Sequence, residues 1–468
     1  MTARRDPGRV LILGAGPTGL GAAYRLQELG FENFQILESA PSSGGLAASV
    51  VDPEGFTWDL GGHVQFSHYA YYDDVLDTAL AGEWLWHDRE SWVWLRDRFV
   101  PYPFQNNIHR LEREDMEHAL RGLEHAAARR RSKPAANFGE WIHTTFGEGI
   151  AQMFLYPYNF KVWGVPPEHI GVGWMGERVA VPNIERIRKN IAEQRDDVSW
   201  GPNNRFRFPR RGGTGAIWQR VGELIRPAHR LFEHRMIRID PSGRTVTAAN
   251  GRTMRYDTLI TSVPLDVLVE SCDGLSAQTR RAAEALVHSA VHIVGVGLQG
   301  PLPAELARKC WMYFPEDHNP YYRVTVFSNY SPANVPDGEG YFSLMAEVCE
   351  SAFRPIDHTT LRDWTLAAMR KDGLIGDADV VSFWHRRLEH GYPTPFLGRD
   401  DVLDHLIPTL AEHRIYSRGR FGGWKYEAAN QDHSFMQGVE LADHLLRGEP
   451  ETTYFDPARA NSGMFLTR

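Results

Sequence analysis

The sequence predicts an α/β fold in which a parallel-sheet domain is interrupted first by a helical insertion and then by an antiparallel-sheet insertion. Three observations carry this expectation. A short apolar run at residues 10–13 breaks into spaced glycines, helical patterning fills roughly 108–198, and period-two alternation takes over from roughly 286 to 385. The 468 residues, 42% hydrophobic and 24% charged, suffice for two or three domains with a full core. A net charge of −8 argues against general affinity for nucleic acid or anionic membranes, while leaving room for a local basic pocket.

The first element is the buried strand Val10-Leu-Ile-Leu13, followed by Gly14, Gly16 and Gly19 with Pro17 and Thr18 between them. The spacing is that of a dinucleotide-binding turn. Gly14 permits the tight bend, Gly16 admits a pyrophosphate close to backbone, and Gly19 lets helix pack on strand. Ala22, Ala23 and Leu26 recur on one helical face, and the free N–H groups at that helix's start favour phosphate. Gly30 stops the helix. A second strand, Phe34-Gln-Ile-Leu37, ends at Glu38, 19 residues past Gly19, where a carboxylate meets a ribose hydroxyl. This is a Rossmann-type unit, and Glu38 would repel the 2′-phosphate of NADP.

The next segment, Ser39-Ala-Pro-Ser-Ser-Gly44-Gly45-Leu46, resembles the amine-oxidase-like FAD superfamily, where such a double glycine passes close to the cofactor, so FAD is expected over NAD. After the turn Asp52-Pro-Glu-Gly55, a hairpin ends in a second double glycine, Gly61-Gly62-His63, against whose bare backbone a flat ring could lie. Helices follow, broken by Pro134 and Pro166-Pro167, then the alternating strands around Tyr321 and Tyr341, and finally a helix from about Ser434 to Leu446. The expected division assigns 1–107, 199–285 and 401–468 to the FAD-binding domain, 108–198 to a helical substrate domain and 286–400 to the antiparallel sheet.

Cys272, Cys310 and Cys349 lack the paired spacing of a zinc site or disulfide framework, so no metal is expected and a reducing compartment is. Met1-Thr-Ala-Arg-Arg-Asp-Pro leads directly into a strand, and no apolar run approaches the ~18 residues of a membrane span. The expected location is the cytoplasm.

A series of colinear blocks is more specific than the glycines. It includes Gly61-Gly-His-Val-Gln-Phe-Ser-His68, Val100-Pro-Tyr-Pro-Phe-Gln-Asn-Asn107, Tyr158-Asn-Phe-Lys-Val-Trp163, Gly176-Glu-Arg-Val-Ala180 and Trp200-Gly-Pro-Asn203. It continues through Cys310-Trp-Met-Tyr313, Tyr322-Arg323, Phe327-Ser-Asn-Tyr330, His390-Gly-Tyr-Pro393, Ser417-Arg-Gly-Arg420 and Asn430-Gln-Asp-His-Ser434. Over nearly its whole length the chain resembles the UDP-galactopyranose mutases of fungal and trypanosomal type.

That resemblance implies a net non-redox reaction that needs reduced FAD. Flavin N5 attacks the anomeric carbon of UDP-galactopyranose or UDP-galactofuranose, UDP leaves, and the sugar ring reopens and recloses. It implies that Arg178 and Arg323 hold the diphosphate, Arg being suited by its planar fork, and that His63 lies beside the flavin. By the same resemblance His68 and Asn203 border the sugar, and Tyr102, Phe104 and Gln105 the uracil. Asn159, Trp163, Tyr313, Tyr330, Tyr392, Tyr426 and Asn430 complete the substrate pocket. Gly45, Leu46, Ser39, Gly61, Gly62, Asn430, Gln431 and Ser434 join the first glycines and Glu38 around FAD. Arg89, Ser91 and Arg420 would receive NADPH as reductant. The segment after Pro332 and the tail beyond Leu446 are short in this chain, and both bear on assembly in relatives, so oligomeric state does not carry over. Alternatives stay open at this point: a mutase for another nucleotide sugar, an amine-oxidase-type flavin oxidoreductase, or a silent nucleotide-sugar-binding protein.

Overall fold

The computed structural model describes residues 5–129, 134–198, 201, 204–338 and 340–466. Its organising element is a five-stranded sheet in the order Ile415–Ser417, Thr258–Thr261, Val10–Leu13, Phe34–Leu37, Arg230–Leu231, with every neighbouring pair parallel. Val10–Leu13 is buried throughout, as expected of a strand covered on both faces. Helix Pro17–Glu28 follows the first strand, and the late helix Gln431–Arg447 packs beside it. Small residues allow that approach. A Cβ on Gly438 would come within 2.0 Å of the Thr18 carbonyl oxygen, and one on Gly21 within 2.2 Å of that of Phe435. The sequence expectation started the late helix at about Ser434. It starts three residues sooner, with Asn430 in extended conformation as its N-cap.

A seven-stranded sheet runs in the order Asp379–Pro393, His288–Gln299, Tyr341–Glu350, Arg323–Val326, Trp311–Tyr313, Ser91–Leu95, Arg98–Pro101. Most pairings are antiparallel, but Trp311–Tyr313 runs parallel to Ser91–Leu95. Two strands from within residues 1–107 therefore extend the sheet expected of residues 286–400. Arg96 and Asp97, both at positive φ (52° and 57°), make the tight turn that folds these two strands together. Gly295 and Gly297 leave one face of the sheet bare, where the rings of Trp58 and Phe56 lie against it. The hairpin of Ser49–Val51 and Thr57–Asp59 is thereby anchored on the seven-stranded sheet.

The helical region comprises Arg113–Ala128, Phe138–Ile150, a π turn at Ala151–Leu155, Tyr156–Trp163 and Ile184–Glu193. Among the described residues no helix is long and apolar enough to cross a membrane.

Candidate active site

A cavity of about 730 Å³ opens at the carboxyl ends of the parallel strands and extends to the face of the seven-stranded sheet. Gly14, Glu38 and Ser262, each following a parallel strand, line one end, the usual ligand position in open α/β sheets. Gly14 sits at φ +102°, and a Cβ on Gly19 would lie 1.9 Å from the Gly14 carbonyl oxygen, so both glycines are required by the turn. Pro17 opens the helix, and no side chain caps its first N–H groups. Glu38 is buried. It accepts hydrogen bonds from the Ala15 N–H (2.7 Å), the Ala40 N–H (2.8 Å) and the Ser39 hydroxyl (3.0 Å), which hold its carboxylate at the cavity wall.

These features fit FAD. The uncapped helix start suits its pyrophosphate and Glu38 a ribose hydroxyl. Gly45, at φ +55°, and Gly16 leave bare backbone on two sides. Further along the cavity, Gly61 and Gly62 present a second bare stretch, and the buried Nδ1 of His63 has no hydrogen-bond partner among the described residues. Burial pushes the His63 imidazole down to about 4; Glu347 opposes this, while the Arg420 and Arg323 charges add to it. His63 is thus neutral at physiological pH.

Arg178, Arg323 and Arg420 converge on the other end with Tyr313, Tyr330, Tyr392 and Tyr426. Arg178 donates to the Glu427 carbonyl (2.9 Å) and to Asn430 Oδ1 (3.3 Å), and its guanidinium lies over the Tyr426 ring. Arg420 donates to the Gly391 (3.1 Å) and Ala429 (3.4 Å) carbonyls and lies over Tyr392 and Tyr426. Arg323 behaves differently. Its Nε and Nη2 donate to the two oxygens of Glu347 at 2.5 and 2.8 Å, and Glu347 Oε1 also accepts the Gly62 N–H at 2.6 Å. The fork expected to grip a phosphate is therefore occupied on one edge by a carboxylate. Burial pushes the Glu347 carboxyl upward, but the Arg323 charge and the hydrogen bonds hold it below the ordinary 4.5. Burial raises Tyr313, Tyr330 and Tyr392, the last to about 12, so each of these three keeps a hydroxyl proton to donate.

Of the residues expected to surround cofactor and substrate, Gly14, Gly16, Pro17, Thr18, Glu38, Ser39, Gly45, Leu46, Gly61, Gly62 and His63 line the cavity. So do Arg178, Tyr313, Arg323, Tyr330, Tyr392, Arg420, Tyr426, Asn430, Gln431 and Ser434. Gln431 Oε1 is already engaged by the Trp218 (2.6 Å) and Gln65 (2.9 Å) N–H donors.

Others stand back from it. His68 is not among the described residues lining the cavity: its Nδ1 lies 2.7 Å from Asp432 Oδ2 in a buried cluster with His433, because a buried carboxylate must find partners. Phe104 is packed against Phe154 in the core, and Gln105 Nε2 donates to the Ala180 carbonyl at 2.5 Å, clamping the segment that carries Arg178. Tyr102 is absent from the cavity lining and packs on Tyr313 (5.2 Å between ring centroids), with the Arg89 guanidinium 5.8 Å from the Tyr102 ring. Ser91 is buried in its strand beside them, so the three proposed reductant contacts are split, with Arg420 at the cavity and Arg89 and Ser91 behind it. Asn159 donates to the Leu155 carbonyl (2.7 Å) within its helix, and Trp163 packs edge-on to Tyr392 and Tyr426. Asn203 lies outside the described residues. Sequence reading missed Glu347, although a single acid in the apolar run Phe342-Ser-Leu-Met-Ala-Glu-Val was the available signal.

The profile of the flavin containing amine oxidoreductase family matches residues 17–438. A crystal structure of reduced UDP-galactopyranose mutase is 49% identical, with a TM-score of 0.94 over 97% of each chain. A putative protoporphyrinogen oxidase from an Exiguobacterium species (15% identical, TM-score 0.70, 94% of this chain and 99% of that one) shares the fold. Cyclohexylamine oxidase from Brevibacterium oxydans (15%, TM-score 0.66, 93% and 98%) shares it as well. With FAD-fitting glycines at one end of the cavity and arginines among tyrosines at the other, the chain belongs to the UDP-galactopyranose mutases within the flavin-containing amine oxidoreductase family.

Proposed function

We propose that this protein interconverts UDP-galactopyranose and UDP-galactofuranose. The observation that carries the reading is the placement of Arg178 and Arg323, with protonated tyrosines, in the same cavity as the flavin-fitting glycines. Reduced FAD supplies, when bound, the nucleophile that takes the sugar from UDP. The protein's own groups do the rest. Arg178 and Arg323 bring positive charge to a diphosphate whose negative charge grows as it departs, a stabilisation strongest where water is excluded. Tyr313, Tyr330 and Tyr392 donate hydrogen bonds to phosphate and sugar oxygens without competing as anions, and the Tyr426 ring backs the Arg178 guanidinium. Asn430 orients Arg178. Neutral His63 leaves the flavin-facing turn uncharged. The two guanidinium groups would repel a cationic amine, which weighs against an amine-oxidase activity.

NADPH is the proposed reductant, with Arg420 at the cavity as its contact and Arg89 and Ser91 reached only if Tyr102 and Tyr313 move. A cytoplasmic location accords with that reductant. Purified protein reduced with dithionite under anaerobic conditions should convert UDP-galactofuranose to UDP-galactopyranose by chromatography, while the air-oxidised protein should not. Conversion that ignores the flavin's redox state, or no conversion by reduced, flavin-loaded protein, would refute the reading.

A further inference from the structure

The Arg323–Glu347–Gly62 contact joins two parts of the site that the mutase reading treats separately. Glu347 sits at the strand position opposite Arg323 in antiparallel register, so the sheet itself brings the two together. Both Glu347 oxygens are engaged by Nε and Nη2 of the guanidinium, which leaves Arg323 Nη1 without a hydrogen-bond partner among the described residues. The same carboxylate takes the N–H of Gly62, in the bare turn next to His63. Gly62 has no room for a side chain there: a Cβ would lie 2.7 Å from Arg323 Nη2 and 2.9 Å from its Cζ. Guanidinium, carboxylate and turn are thus in mutual contact, and the carboxylate is only 3% exposed.

We propose that Glu347 is a positioning residue that couples the diphosphate-facing Arg323 to the flavin-facing Gly61-Gly62-His63 turn, aiming Nη1 rather than the guanidinium fork at the ligand. The proposal rests on the mutase reading of the cavity. Glu347 lines the cavity, but its two oxygens are spent on Arg323 and Gly62, so it acts through these partners. It works because one rigid carboxylate serves two partners. A ligand that draws on Arg323 Nη1 shifts the guanidinium, the guanidinium shifts Glu347, and the Gly62 peptide follows. A shared buried carboxylate transmits such a displacement because each of its partners would otherwise be left unpaired.

The test uses flavin-loaded Glu347→Gln and Glu347→Asp. Gln keeps the shape but loses the charge. Asp keeps the charge but is one methylene too short to span both partners. In wild type, saturating UDP should perturb the absorption bands of the oxidised flavin. In both variants that difference spectrum should shrink at least five-fold at saturating UDP, and reduced-enzyme kcat should fall at least ten-fold with KM changed less than three-fold. A difference spectrum of wild-type amplitude in either variant, a loss confined to KM, or loss of flavin from both would overturn the proposal. Wild-type turnover run alongside separates the two failures. If wild type itself does not convert the sugar nucleotide, the mutase reading falls, and the UDP difference spectra still decide the role of Glu347.

Discussion

Arg178 and Arg323 are expected to matter equally to turnover, yet their surroundings predict different costs when each is cut to alanine. Removing either cation from a departing diphosphate should lower kcat by about 10²–10³-fold. Arg178 gives up two bonds to uncharged oxygens, so Arg178→Ala should destabilise by only about 1–2 kcal/mol. Arg323→Ala strands Glu347, and breaking one side of a buried pair costs about 3–5 kcal/mol. The sign of the pH dependence sharpens the contrast. In wild type Glu347 is held below its ordinary 4.5, so its stabilisation is present above the unfolded value and lost as pH falls through the lowered folded one. In Arg323→Ala burial dominates and the folded value rises above the unfolded one. The deficit of that variant should therefore grow as pH rises and shrink in acid. Thermal melting of the flavin-loaded proteins from pH 4 to 8 measures this, with Arg323→Ala/Glu347→Ala as the partner variant, which should melt above Arg323→Ala near pH 8. Equal deficits for the two arginine variants, or an Arg323→Ala deficit that does not shrink in acid, would refute the buried-pair argument.

Two more expectations follow from the cofactor domain. Asp59, buried against the Ser49 hydroxyl (2.5 Å) and the Thr214 N–H (3.0 Å), is lifted by burial to about 7. Stability linked to it is full below the ordinary 3.8 and declines as pH rises toward 7. Asp59→Asn should raise stability by roughly 2–4 kcal/mol at pH 8, with little difference at pH 4, and a pH-independent change in melting would contradict the assignment. Gly438→Ala pushes a methyl group to 2.0 Å from the Thr18 carbonyl and must separate the two helices flanking the dinucleotide turn. It should purify with a lowered ratio of flavin to protein absorbance and melt earlier, by the about 1–3 kcal/mol typical of overpacking; full flavin content would count against the proposed cofactor position.

Much of this protein is set by local sequence. The strand and the glycines at 14, 16 and 19 determine a dinucleotide turn through backbone geometry over a few residues, and the spacing of the next strand places the acid at 38 beside it. The blocks carrying Arg178, Arg323, Tyr392 and Asn430 likewise identify residues that the fold brings to one cavity. What local sequence leaves open are pairings across hundreds of residues. Glu347 reads as one acid in an apolar strand until antiparallel register sets it opposite Arg323, and only then does half of the guanidinium fork prove to be occupied. His68 sits in a block matching a sugar contact, and only the fold shows that Asp432, from the other end of the chain, holds its Nδ1. Tyr102 and Arg89 stand one layer behind Tyr313 for a similar reason: they flank the hairpin of Ser91–Leu95 and Arg98–Pro101, whose first strand joins the large sheet through a parallel pairing that alternation cannot reveal. Residue type and spacing specify what chemistry a side chain can perform. Which partner a buried charge must find, and hence which edge remains for a ligand, is decided by tertiary packing, because an unpaired charge inside the protein costs more than any local preference supplies.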